Sequence, residues 1–256
     1  MLKVIHERIK QGYWTTPYPA GPMPKLPARY RGLPVIDSSK CPEGCAKCVE
    51  ACPTNAITID GEMKIDLGRC LFCTDCMDAC PEGAIEYTQD FRLATRTREG
   101  LVTDGKAFAL AQSIDERSRR IFGRSLQLRQ VSAGGCNGCE ADINVLGTLV
   151  FDLSRFGIKI VASPRHADGL IVTGGVTQNM KLALQKAYVA IPAPKFVIAV
   201  GACAISGGPF VDHAEQNNGC DSLLPVDLYI PGCPPHPLTI LDGILRLLGR
   251  IDSTAN

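Results

Sequence analysis

The 256-residue chain is short of several things that mark common protein classes. Its formal net charge is only +1, so electrostatics gives no reason to expect nucleic acid or an acidic surface as a partner. No apolar run reaches membrane-spanning length, because Pro192, Pro194 and Lys195 interrupt the longest candidate. The opening stretch MLKVIHERIK is charged and lacks the apolar centre of a signal peptide. Histidine is scarce, with none between residues 7 and 165, which weighs against zinc knuckles there.

Cysteine is the residue in excess. Eight of the thirteen lie between positions 41 and 80, in two near-copies of one pattern. The first runs Cys41, Cys45, Cys48, Cys52 and Pro53; the second runs Cys70, Cys73, Cys76, Cys80 and Pro81. Thiolates at this spacing are soft ligands, which select iron–sulfur clusters or zinc. The double Cys-Pro ending is the bacterial ferredoxin form, in which the fourth cysteine of each run reaches the other cluster. One 4Fe–4S cluster is thus expected on Cys41, Cys45, Cys48 and Cys80, and another on Cys70, Cys73, Cys76 and Cys52. Most of the repeat superimposes at an offset of 28 residues, Ala56-Ile57 falling on Ala84-Ile85, as two units packed about a pseudo-twofold axis require. Cys41 departs from it, with three residues before Cys45, and Gly44 is expected to absorb the extra one. Thiols at ligand spacing imply a reducing compartment.

With 45% hydrophobic residues the chain can hold one medium domain and one small one. Residues 1–40 read as a short amphipathic helix (Leu2, Ile5, Ile9) and a proline-rich extended tether. The helix either caps the next unit or docks on a membrane subunit. Residues 41–88 read as an α+β ferredoxin domain carrying two clusters. Residues 89–124 read as a basic linker running over surfaces, with one helix over 106–117. From 125 to 256, apolar runs at Leu126–Val131, Ile158–Ala162, Leu170–Thr173, Phe196–Val200 and Val226–Ile230 alternate with helical patterns. That alternation predicts an α/β domain with a mostly parallel sheet.

Four more cysteines follow the ends of these predicted strands. Cys136 and Cys139 follow the first, Cys203 the fourth and Cys233 the fifth, where open α/β sheets build their sites. Together they predict a third 4Fe–4S cluster, for a total of three. Structural zinc and a thioredoxin-like Cys136/Cys139 pair are the alternatives, the latter leaving Cys203 and Cys233 unexplained. Cys220, in NNGCDS, reads as a partly exposed free thiol outside the site. Glu140 is either a proton relay or a carboxylate at a helix N-terminus. Arg165 and His166 read as interface or loop-fixing groups, and His213 and His236 as ordinary satisfied or solvated histidines.

The segments RSLQLRQVSAGGCNGCEADI, SRFGIKIVASPRHADGLIVTGGVTQNM, AVGACAISGG and VDLYIPGCPP resemble the small subunit of group 4 membrane-bound NiFe hydrogenases. They also resemble its relative, the 20 kDa B-type subunit of complex I. Residues 1–90 resemble the ferredoxin-like subunit of formate hydrogenlyase and the complex I I-type subunit, so the chain looks like a fusion of two neighbouring subunits. The resemblance implies that residues 125–256 form a flavodoxin-like domain, with a proximal cluster ligated by Cys136, Cys139, Cys203 and Cys233. It also implies a NiFe hydrogenase-type or complex I D-type large subunit as partner, with membrane-arm subunits and an iron–sulfur donor or acceptor. It places the chain peripherally on the cytoplasmic face of the membrane. The spaced Cys136-Asn-Gly-Cys139 pair is the hydrogenase-like form, whereas complex I subunits typically supply adjacent cysteines. Nickel ligands are lacking, so no complete active site is expected on this chain. A relay to quinone and a structural metal-binding adaptor are the competing functions.

Overall fold

The computed structural model describes residues 2–106 and 108–251; Ala107 of the expected 106–117 helix and the last five residues of the 125–256 unit lie outside them. The chain opens with helix α1 (Leu2–Gln11), which buries none of its residues. It therefore does not cap the ferredoxin half. The tether that follows is not free either. Tyr18 is buried, and its hydroxyl donates to Asp242 Oδ1 at 2.5 Å.

The ferredoxin half comprises β1 (Pro34–Ile36), α2 (Lys47–Glu50), β2 (Ile57–Asp60), β3 (Glu62–Asp66), α3 (Asp75–Asp78) and β4 (Ile85–Tyr87). The repeat is visible in three dimensions. Each half supplies a one-turn helix and then a strand opening on a buried isoleucine, Ile57 or Ile85. β1 pairs antiparallel with β4, and β2 with β3. Gly44, at φ +75, takes up the extra residue before Cys45 in a conformation that L side chains disfavour.

Residues 89–124 do not run over the surface as a solvated basic strip. Phe91, Leu93, Ala94, Leu101, Ala111, Ile114 and Phe122 are all buried. Strand β5 (Val102–Thr103) joins β3, while Thr95 bridges Tyr229 of the other half with backbone bonds of 2.9 and 3.0 Å. One segment thus adds an edge to both sheets. Helix α4 (Glu116–Phe122) lies later than the expected 106–117, because Asp115 is its N-cap and accepts from the Ser118 N–H at 3.0 Å.

The α/β half holds β6 (Leu126–Ser132), α5 (Gly138–Val145), β7 (Ile158–Ile160), β8 (Gly169–Thr173), α6 (Gln178–Ala190), β9 (Phe196–Val200), α7 (Ala202–Ser206), β10 (Leu228–Ile230) and α8 (Pro237–Leu247). All five strands are parallel in the order β10-β9-β8-β6-β7. Numbered within the domain and read from the β7 edge, this is 2-1-3-4-5, the flavodoxin-like order, with its switch point between β6 and β8. β8 and β9 are buried at every residue, as strands covered on both faces must be. α8 is buried along its whole length, which its apolar residues favour at about 1.5–3 kcal/mol for each large side chain. Its two charged residues, Asp242 and Arg246, pair with each other at i,i+4.

The two halves share one core. Leu67 and Cys70 of the ferredoxin half belong to the same apolar cluster as Ala204, Ile205 and Tyr229. Ser206 Oγ donates to the Gly68 carbonyl at 2.8 Å, and Arg98 forms a two-pronged ion pair with Asp66 at 2.6 and 2.8 Å.

Candidate metal centres

All thirteen cysteines are free thiols. Cys41, Cys45, Cys48 and Cys80 line one small cavity, and Cys52, Cys70, Cys73 and Cys76 line another. Each set draws three cysteines from one copy of the repeat and the fourth from the other copy. Backbone donors point at the exchanged sulfurs. The Ala56 N–H donates to Cys52 Sγ at 3.2 Å, and the Ala84 N–H to Cys80 Sγ at 3.3 Å.

The third set forms where parallel strands end. Cys136 and Cys139 sit in the β6–α5 turn, Cys203 in the first turn of α7 and Cys233 after β10. Cys139 lies within electrostatic reach of Cys203, Cys233 and Cys136, so the structure brings all four onto one rim. Gly201 makes this approach possible. At φ +89 and ψ 155 it occupies a region that is nearly glycine-only, and a Cβ there would stand 2.5 Å from Cys139 Sγ. Cys136 and Cys233 remain exposed, and Cys233 borders an open cleft of about 310 Å³ with Tyr30, Phe72 and His236. Leu71 and Phe72, between Cys70 and Cys73, line the same cleft, so the second set lies beside the third.

The donor chemistry fits iron–sulfur clusters. Burial, then the charges of Cys76 and Cys52, push the Cys70 thiol up to about 12 against opposing hydrogen bonds from Tyr87 and Phe72. Burial, then Cys233 and Cys136, push Cys203 up to about 11. Thiols crowded like this resist ionising together until a cationic centre offsets their charge. Among the described residues, no three His, Cys, Asp or Glu side chains close on a single metal ion.

Glu140 sits at the sheet's switch point and is buried. One carboxylate oxygen accepts from Ser132 Oγ at 2.6 Å and Thr173 Oγ1 at 2.7 Å, from the ends of β6 and β8. Burial alone would raise its pKa, but the hydroxyl donors outweigh it and hold the carboxyl below its ordinary range. Cys220 is a correction. It is fully buried, with its N–H bonded to the Ala204 carbonyl at 2.9 Å, and is no partly exposed loop thiol. It packs in the core, and burial pushes it up to about 12. Arg165 and His166 lie in a short turn before β8. His236 caps α8, its Nδ1 accepting the Leu238 N–H at 3.1 Å, and the Nδ1 of His213 accepts the Glu215 N–H at 3.2 Å.

Sequence reading missed Tyr87. Its hydroxyl lies 3.4 Å from Cys70 Sγ and 3.8 Å from Cys76 Sγ, and a tyrosine closing the second repeat was the available signal.

A twin-site ferredoxin unit riveted to a flavodoxin-like domain with a four-thiol rim defines an iron–sulfur oxidoreductase subunit. The chain belongs to the family described as NADH ubiquinone oxidoreductase, 20 Kd subunit, which matches residues 136–247; residues 35–84 match the 4Fe-4S dicluster domain. It is 42% identical over 132 residues to the probable membrane-bound hydrogenase subunit mbhJ of Pyrococcus furiosus, covering 52% of this chain and 79% of that one. It is 47% identical over 129 residues to formate hydrogenlyase subunit 7 of Escherichia coli, covering 50% of this chain but only 51% of that relative. The chain therefore spans about half the length of that relative. It is also 42% identical over 124 residues to the B-type subunit of NADH-quinone oxidoreductase from Heliobacterium modesticaldum, covering 48% of this chain and 71% of that one.

Proposed function

We propose that this chain is the electron-relay subunit of a membrane-associated NiFe hydrogenase-type complex, fusing a ferredoxin-like unit to a small subunit. Bound in the three thiol sets, 4Fe–4S clusters would supply reversible one-electron chemistry. The observation that carries the reading is the grouping of the cysteines into sets, with Leu71 and Phe72 of the second set lining one cleft with Cys233 of the third. It supports a relay order from Cys41, Cys45, Cys48 and Cys80, through Cys52, Cys70, Cys73 and Cys76, to Cys136, Cys139, Cys203 and Cys233.

The protein's own part is to hold and insulate. Buried Ile57, Ile65 and Ile85 pack into the core around the first two sets and limit water there. The outer set, with Cys41 and Cys45 beside an open groove, faces an iron–sulfur donor or acceptor. The exposed Cys136 and Cys233 mark the face for a large subunit that completes the active site. Glu140, pinned beside that rim, is placed to pass protons toward the same face. No described helix is long and apolar enough to cross a membrane, and association is assigned to membrane-arm subunits on the cytoplasmic face.

Iron and acid-labile sulfide analysis of anaerobically purified protein tests the reading. About twelve irons per chain are expected, as three cubane clusters require. Stoichiometric zinc without a reducible spectrum would establish the adaptor reading instead. The hydrogenase form of the Cys136/Cys139 spacing favours hydrogen chemistry over quinone. Two Cys-x-x-Cys pairs near the ends of the co-purifying large subunit are expected, and their absence would turn the assignment to a quinone relay.

A further inference from the structure

The two ferredoxin sites should be near-equivalent, because a repeat built them. The mirrored donors obey the repeat: Ala56 and Ala84, 28 residues apart, each give a backbone N–H to an exchanged cysteine at 3.2 and 3.3 Å. One position breaks it. Tyr87 falls on Ile59 at the same offset. Tyr87 lines the cavity of Cys52, Cys70, Cys73 and Cys76, with its hydroxyl between two of their sulfurs. Ile59 borders the groove beside Cys41 and Cys45 and has no hydroxyl to offer. Tyr87 is also well fixed. β4 pairs with β1 through Tyr87 and Pro34, and its ring packs against Phe72 with centroids 5.8 Å apart.

Resting on the function proposed above, we infer that Tyr87 is a positioning residue that sets the inner ferredoxin site apart from the outer one, its hydroxyl donating to Cys70 and Cys76 sulfur and raising that site's reduction potential. The sign follows from charge. A reduced cluster and its four thiolates carry one more negative charge than the oxidised form, so a donor aimed at sulfur favours the reduced state. The single hydroxyl proton is shared between Sγ atoms at 3.4 and 3.8 Å, so its contribution is that of one ordinary hydrogen bond. The consequence is a potential step between two sites whose ligand patterns are almost the same, with the more easily reduced site on the side of Cys233.

The test is an EPR-monitored redox titration of the intact protein, with iron counted in every sample. Tyr87→Phe is expected to make one of the three midpoints more negative. Its reduced-to-oxidised ratio at fixed potential should fall by up to about tenfold, which is ~59 mV for one electron. Ile59→Tyr, which places a hydroxyl at the mirrored position, is expected to raise a different midpoint. Three clusters with unmoved midpoints in Y87F overturn the role of Tyr87 alone, as does the same midpoint moving in both variants. If Y87F loses iron from this site, I59Y decides, and no rise in any midpoint overturns the inference. A parent protein without a cluster among Cys52, Cys70, Cys73 and Cys76 overturns this role and the functional reading together.

Discussion

Gly201 offers the sharpest test of how the third thiol set is assembled. Its backbone, at φ +89 and ψ 155, lies where a residue with a side chain costs about 1–3 kcal/mol. An added Cβ would also stand 2.5 Å from Cys139 Sγ, closer than real contacts come, with the Gly232 carbonyl at 3.5 Å behind it. Cys139 would have to leave its rotamer, at a further cost of about 0.5–1.5 kcal/mol. Gly201→Ala is therefore expected to destabilise the α/β half by about 2–4 kcal/mol and to displace one of four thiols on the rim. Gly138→Ala is the control. Its Cβ would meet Cys136 Sγ at 3.6 Å, an ordinary contact, and the residue begins helix α5, where alanine is the better former. Iron analysis and visible absorption should show G201A with about four irons fewer than the parent, the ferredoxin pair retained, while G138A matches the parent. A G201A protein with full iron content and an unchanged Tm would refute the close-approach argument.

Asp242 and Arg246 are 0% and 1% exposed, and the Arg246 Nε donates to both Asp242 oxygens at 2.9 and 3.0 Å. Asp242→Ala removes the carboxylate from this buried pair and should cost about 3–5 kcal/mol, read as a fall in denaturant midpoint; Tyr18→Phe, losing one bond to a charged acceptor, should cost about 1.5–3 kcal/mol, and the reverse ranking would refute the account. Asp227, like Asp242, has its pKa raised by burial. Burial raises its pKa despite the Val197 N–H donor and the nearby Arg96 charge, so the native state binds its proton more tightly than the unfolded chain. Its contribution is full below the unfolded pKa near 3.8 and lost as pH rises through the folded value. Asp227→Asn, which keeps an acceptor for Val197, should therefore be at least as stable as the parent at pH 7, and a clear drop in Tm would sink that sign.

Much of the site was legible because cysteine spacing is a direct record of ligand geometry. The cross-pairing of Cys52 and Cys80 was expected from the ferredoxin form of the double Cys-Pro run, and the strand-end positions of Cys136, Cys203 and Cys233 from alternating hydrophobicity. What escaped were features without a local period. Cys220 sits in a polar string, NNGCDS, yet the chain turns inward there and packs it beneath Ala204 and Tyr229. Residues 89–124 carry so many arginines that Phe91, Leu93 and Ala94 were masked, although those arginines face outward or pair, as Arg98 does with Asp66. Tyr18 looked like part of a tether because its partner, Asp242, is 224 residues away. Contacts of that range leave no trace in a local window.

The misread segment bears on the relay itself. Electron exchange between buried centres falls steeply with separation, so a relay needs its sites held at fixed distances. Two domains on a flexible linker would not provide that. Here the connection is built into both sheets: Thr95 bridges β10, Val102–Thr103 pairs with β3, and Arg98 holds Asp66 between them. Tyr229, the bridge partner of Thr95, lies four residues before Cys233, and Asp66, the partner of Arg98, lies four residues before Cys70. The chain beyond each rivet therefore leads directly into a thiol set. A single covalent chain can then do what two separate subunits must achieve by docking, because the spacing of Cys73 and Cys233 is set by folding rather than by association.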